Sequence, residues 1–173
     1  MTIRSLLPET IETARLTLRA PRVSDLEDLV AEANNWKVLE PTASLPFPYE
    51  EQHGRAFVEK TARASHHPYV IAEKTGDRLL GVIGLYFHDD RPTELGYWLG
   101  ERHWGHGYAP EAVRGLRDAC SSIGLVPLRA RVLAHNAGSI RVLEKTGFAL
   151  IEETVSVVER HKGKPLLVLE WRG

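Results

Sequence analysis

The chain is 173 residues long, with 43% hydrophobic and 26% charged residues. These values lie close to the average for soluble globular proteins and exclude disorder, collagen-like repeats and coiled coil as the main architecture. Lys plus Arg is 22 and Asp plus Glu is 23, a formal charge of −1, so no electrostatic footprint argues for nucleic acid or an anionic membrane as partner.

Residues 15–19, Arg15-Leu-Thr-Leu-Arg19, alternate polar and apolar in the pattern of a half-buried strand. Ser24, ahead of Asp25-Leu26-Glu27, is placed as the N-cap of a helix running to about residue 34. Pro41, Pro46 and Pro48 make residues 40–49 a loop, because each proline fixes φ and removes a donor. A second helix is expected over residues 50–64. Residues 69–73 and 79–87 read as two strands joined by a hairpin at Thr75-Gly76-Asp77. After a polar turn, residues 93–99 read as the next strand.

Gly100-Glu-Arg-His-Trp-Gly-His-Gly107 follows as a loop with three glycines. It runs straight into residues 108–123, where Ala109, Ala112, Val113, Leu116, Ala119, Cys120 and Ile123 form the stripe of an amphipathic helix. Pro110 suits the first turn of that helix. Residues 128–133 are a strand, and residues 136–146 a helix that Gly147 ends as a left-handed cap. Residues 148–158 and 166–171 close the chain as a pair of strands, with Arg160-His-Lys-Gly-Lys164 read as a solvated hairpin tip. The order gives an α/β fold with a mixed sheet, in which a strand–helix–strand crossover links residues 93–99 to 128–133.

Cys120 is the lone cysteine, so no intrachain disulfide forms, and its place on the helix stripe makes it a small core residue. Residues 1–9 have no apolar signal region, and the longest nearly apolar stretch is about half of what a membrane-spanning helix needs. The expectation is one soluble cytoplasmic domain over residues 1–173. His103 and His106 lie three apart without a third ligand, and no His-x-x-x-His pair or carboxylate cluster occurs, so no metal is expected.

The segment Trp104-Gly-His-Gly-Tyr-Ala-Pro110 carries the chemistry. A helix N-terminus offers unpaired N–H groups and partial positive charge, and glycines let the backbone approach an oxyanion, so the arrangement suits a phosphate or pyrophosphate. A plain tight connection would use the same residues. A P-loop would need Gly-Lys-Ser/Thr, which is absent, and the dinucleotide fingerprint would need a third glycine where Pro110 stands. It would also want an acid near the end of the next strand, where the chain has Leu133-Ala-His-Asn136.

A third pattern fits: an aromatic residue or Gln/Arg, two residues, Gly, one residue, then Gly or Ala entering a helix, as in Trp104-x-x-Gly107-x-Ala109. Asn136-Ala-Gly-Ser-Ile-Arg-Val-Leu-Glu-Lys-Thr-Gly-Phe148, Glu94-Leu-Gly-Tyr-Trp-Leu99 and Thr13-Ala-Arg-Leu-Thr-Leu-Arg19 complete the set. Together they closely resemble the GCN5-related N-acetyltransferase (GNAT) superfamily, nearest its ribosomal-protein N-acetyltransferase (RimJ/RimL-like) branch, over about residues 11–171.

The resemblance implies a mostly antiparallel sheet of about seven strands, splayed between two central parallel strands and flanked by about four helices. It implies acetyl-CoA as co-substrate, with the backbone of Gly105, His106, Gly107, Tyr108 and Ala109, beside Trp104, holding the pyrophosphate. Trp98 and Leu99 would offer backbone groups to the pantetheine arm, and Asn136 would contact the same arm besides capping its helix. Glu94 is the candidate base, directly or through water, with an exposed strand-edge glutamate as the plain alternative. Many relatives place a Tyr seven residues after the Asn, but Leu143 stands there, so Ser139 is assigned the proton-donor role, with a capping or cofactor-orienting role as the alternative.

Trp36, Phe47, Tyr49 and Tyr86 are candidates to line the acceptor pocket, unless they pack the core, and the charge of residues 160–164 suits an acidic acceptor or the CoA 3′-phosphate. The acceptor would be a primary amine, either a protein N-terminus or a small molecule. A lysine-like amine costs about 4–5 kcal/mol to deprotonate at pH 7 and an α-amine only about 1. A catalytically silent acyl-CoA-binding module is the rival function. A homodimer is implied by the resemblance alone.

Overall fold

The computed structural model describes residues 2–60 and 65–173. Its framework is an eight-stranded sheet in the order β1-β2-β3-β4-β5-β6-β8-β7. The strands are β1 (Thr10–Glu12), β2 (Leu16–Arg19), β3 (His66–Glu73), β4 (Leu79–Tyr86), β5 (Glu94–Leu99), β6 (Leu128–Leu133), β7 (Ala149–Val155) and β8 (Pro165–Trp171). The helices are α1 (Leu26–Ala33), α2 (Trp36–Leu39), α3 (Glu51–Glu59), α4 (Tyr108–Ser122) and α5 (Ala137–Lys145).

Neighbouring strands are antiparallel except β5 and β6, which are parallel and paired only at Glu94–Arg129. Beyond that pair the two strands part toward their C-terminal ends. The sheet is thus two antiparallel blocks hinged at one residue pair, with a gap between Leu99 and Leu133. The expected splay of two central parallel strands is present.

Each face of the sheet is covered by the helices whose apolar stripes match it. The stripe of α4, with Ala112, Val113, Leu116 and Cys120 at or below 1% exposure, packs with Leu143 of α5 onto Leu95, Leu99, Leu128 and Ala130. On the other face Leu29 and Ala33 of α1, Leu39 of α2 and Tyr49 pack onto Val70, Ala72, Leu79 and Val82. Burying a leucine-sized side chain stabilises by about 1.5–3 kcal/mol, so each layer holds its face of the sheet firmly. Tyr49 therefore belongs to the core and not to a pocket.

Several local readings need correction. Ser24 does not cap α1; the Asp25 carboxylate instead accepts from the Arg22 N–H at 2.7 Å and pairs with buried Arg19 at 2.8 Å. The helix expected over residues 50–64 ends at Glu59, and residues 61–64 lie outside the described residues. The Arg160–Lys164 tip is not simply solvated. Arg160 donates to the carbonyls of Leu39, Thr42 and Leu45, while His161 is 3% exposed and bonds the Glu40 carbonyl. Lys164 reaches the Glu40 carboxylate at 3.1 Å. These bonds fasten the loop after α2 to the β7–β8 connection.

β4 and β5 approach closely at Gly81. A Cβ there would overlap the Trp98 carbonyl oxygen and come within 2.9 Å of the Leu99 Cα. We expect Gly81→Ala to lower the unfolding free energy by about 1–3 kcal/mol through forced separation of the strands, measured by urea denaturation. An unchanged midpoint would show that β5 is not held by this contact.

Candidate active site

The gap between β5 and β6 leaves strand edges exposed inside a sheet. N–H and C=O groups alternate sides along a strand. The Gly100 N–H donates to the Leu80 carbonyl on the β4 side, and the Thr93 carbonyl accepts from the Arg129 N–H on the β6 side, both at 2.9 Å. Leu95, Tyr97 and Leu99 therefore turn their backbone groups toward the gap, and Gly96 and Trp98 turn theirs toward β4. The structure thus brings the Leu99 backbone to the cleft and not that of Trp98, whose side chain packs in the α1–α3 layer. One Leu99 group is already engaged, because Trp104 Nε1 donates to the Leu99 carbonyl at 2.9 Å.

A helix follows each of the splayed strands, α4 after β5 and α5 after β6. At α4 the N-cap is Gly107, with φ of 80°, and Gly105 has φ of 76°. These left-handed angles are where glycine alone is free of strain, so the sequence Gly-His-Gly folds into a turn whose amides Gly105 to Ala109 are exposed or half-buried. Pro110 has no N–H to add. At α5 the Asn136 side-chain oxygen accepts from the Ser139 N–H at 3.2 Å, which confirms the cap and leaves its amide nitrogen without a bond among the described residues.

The glycine loop is fixed at both ends. At its start, Glu32 of α1 is 5% exposed, pairs with Arg102 and sits 3.2 Å from His103 Nε2. Gly100 lies so close to Glu32 that a Cβ would overlap its carboxylate. At its far end, Arg15 donates to the His106 carbonyl at 2.9 Å and lies 4.5 Å over the Tyr108 ring.

Ser139 meets a residue that sequence reasoning did not single out. Its hydroxyl lies 3.0 Å from the Tyr97 hydroxyl. Alternation places Tyr97 on the face of Leu95 and Leu99, toward α5, and that signal was available in Glu94-Leu-Gly-Tyr-Trp-Leu99. Burial pushes the Tyr97 hydroxyl up to about 12, partly offset by its bond to Ser139. Leu143, seven residues after Asn136, is a 2%-exposed core residue.

Glu94 occupies the closed end of the cleft, on the opposite face. Its carboxylate accepts from Arg131 Nε at 2.7 Å and Arg91 Nε at 3.1 Å. His88 Nε2 is 3.5 Å from its other oxygen, and that ring nitrogen is buried without a hydrogen-bond partner among the described residues. Glu94 is therefore no bare strand-edge glutamate. Tyr86 stands beside it across β4 and β5, stacked on His66 at 4.3 Å and touching the space a Cβ on Gly96 would fill. Trp36 and Phe47, both about half exposed, form an edge-to-face pair at 5.4 Å. Among the described residues no group of His, Cys, Asp and Glu could hold a metal ion, and no helix is long and apolar enough to cross a membrane.

Comparison with known proteins agrees with this geometry. Residues 15–149 match the family described as the acetyltransferase (GNAT) domain. The chain belongs to the GNAT acetyltransferases. The uncharacterized N-acetyltransferase p20 of Bacillus licheniformis is 30% identical over 163 residues, covering 90% of each chain. Two solved structures share the fold at lower identity. The microcin C7 self-immunity acetyltransferase MccE, in complex with acetyl-CoA and AMP, gives a TM-score of 0.82 at 20% identity, covering 98% of this chain and 99% of that one. RimL, the ribosomal L7/L12 α-N-protein acetyltransferase, in complex with coenzyme A, gives 0.78 at 19% identity, covering 95% and 98%.

The buried phenols make alkaline stability a test of the site's packing. Tyr49 and Tyr97 are pushed from 10.0 up to about 12 by burial. A raised folded-state value favours the protonated form, so this stability is fully present below pH 10 and lost as the pH climbs toward 12. We expect the urea midpoint to fall between those limits, and Tyr97→Phe to make the fall shallower. An identical fall in the variant would mean that Tyr97 ionises freely.

Proposed function

We propose that the chain transfers the acetyl group of acetyl-CoA to a primary amine, protein N-terminal or small-molecule, by direct attack in a ternary complex in the cytoplasm. The observation that carries this reading is a strand ladder that stops after one pair in mid-sheet, with a glycine-lined helix N-terminus at its mouth. Unpaired backbone groups inside a fold call for a partner. Acetyl-CoA supplies an activated thioester at the end of an extended arm containing secondary amides, joined to a pyrophosphate. The cleft residues fit that shape: the inward-facing edge of Leu95, Tyr97 and Leu99 suits the amides in the manner of strand addition. The amides of Gly105 to Ala109 suit the pyrophosphate, and the free Asn136 amide suits the arm.

The two faces of the cleft then divide the proton traffic. On the α1–α3 face, Arg91 and Arg131 aim the Glu94 carboxylate through their Nε groups. Glu94 takes the proton of the incoming ammonium, directly or through water. An α-amine asks for about 3 kcal/mol less than a lysine-like amine to lose its proton at pH 7. On the other face, the Ser139 hydroxyl, 3.0 Å from the Tyr97 hydroxyl, is the donor offered to the departing sulfur. Tyr86, Trp36 and Phe47 are the aromatic walls offered to the acceptor.

Calorimetry with acetyl-CoA, paired with thiol release across amines and N-terminal peptides, tests the reading. We expect binding and acceptor-dependent release; binding without release would favour a silent acyl-CoA-binding module, and no binding would overturn the proposal. We expect Glu94→Gln to cut turnover by about 100-fold or more while binding persists, and unchanged turnover would remove the base. Ser139→Ala should cost only about tenfold, because a thiolate of ordinary acidity leaves with little help.

A further inference from the structure

Arg15, in the turn between β1 and β2, touches the glycine loop and the first turn of α4 at four points. It donates to the His106 carbonyl at 2.9 Å and to the Glu111 carboxylate at 2.7 Å, and it covers the Tyr108 ring. Its Nη2 lies 3.3 Å from where a Cβ on Gly107 would stand. We infer that Arg15 is a positioning residue for the pyrophosphate cradle, aiming the Gly107 N–H and keeping Glu111 from opposing the anion. This inference rests on the acetyl-CoA reading above.

The first part follows from peptide planarity. The His106 C=O and the Gly107 N–H belong to one trans unit and point in opposite directions. A guanidinium that holds the carbonyl on one side therefore fixes the N–H on the other. Gly107 sits in the left-handed region, so the unit would otherwise be free to rotate.

The second part concerns charge. Glu111 is the acid in the first turn of α4, where its carboxylate competes with any bound anion for the helix N-terminus. Three donors tie it down: the Thr13 hydroxyl at 2.6 Å, the Arg15 N–H at 2.7 Å and the Arg15 side chain. Burial alone would raise its pKa, and these bonds overcome that and hold it below the usual carboxylate range. Arg15 also brings a positive charge to a cradle that Pro110 leaves one N–H short.

Competition binding of acetyl-CoA and S-acetylpantetheine, which lacks the pyrophosphate, separates this role from general support of the fold. We expect Arg15→Ala to weaken acetyl-CoA by about 10- to 100-fold, the range of a hydrogen bond to a charged group, and to change S-acetylpantetheine less than about threefold. Arg15→Lys keeps the charge but cannot span Glu111 and His106 together, so it should fall between, with the same contrast, and it carries the test if the alanine variant does not fold. Equal losses for both ligands, or no loss for either, would overturn the role of Arg15. A wild-type chain that binds neither ligand would sink the acetyl-CoA reading, and this inference with it.

Discussion

Everything at the candidate site hangs on the parallel contact of β5 and β6 being a single residue pair, Glu94–Arg129. On either side the sheet is continuous and antiparallel, and helices pack both faces, so the gap beyond that pair cannot close by collapse. The cost is a row of backbone groups turned inward without a strand to meet them. A helix follows each parted strand in the chain, and its N-terminus carries N–H groups that no helical bond uses. A slot that is all donors and acceptors along its walls and positive at its mouth selects an extended, amide-bearing, anionic ligand.

Placement of the glycine loop is a second consequence. Its left-handed glycines let the backbone turn tightly, but they also make it free to move, and two buried or half-buried charge clusters remove that freedom. Glu32 holds its start from α1, and Arg15 holds its end from the β1–β2 turn. The loop is thereby braced from both layers of the protein. The same economy appears across the cleft, where Arg160 fastens the loop after α2 through three carbonyls.

The sequence was most legible where a periodic pattern met a strong local signal. The α4 stripe, the strand at Leu128–Leu133 and the glycine cap at Gly147 all stand as read. Three-residue β1 is too short to show a period, which is why the described sheet has eight strands where about seven were expected, and four-residue α2 was hidden for the same reason. Long-range polar partners left no trace either. The charges at Arg160 and Lys164 resemble a solvated tip until the carbonyls 115 or more positions earlier are in place. Glu94 could be found by its position and the face of Tyr97 by alternation, but Arg131 beside Glu94 comes from folding alone. That the Trp98 backbone faces β4 and that of Leu99 the gap could not be read in advance, because ladder parity depends on register, which only the pairing of β4 with β5 fixes.

The central claim is that the β5–β6 gap and the glycine loop form one binding site for acetyl-CoA. Amide nitrogen–proton spectra of the labelled protein, titrated with coenzyme A, test it most directly. The account predicts that the signals of Gly105, Gly107, Ala109 and Leu99 shift together and saturate at one concentration, while those of β7 at the far edge stay in place. Shifts confined to another surface, or a glycine loop whose amides do not respond, would contradict it.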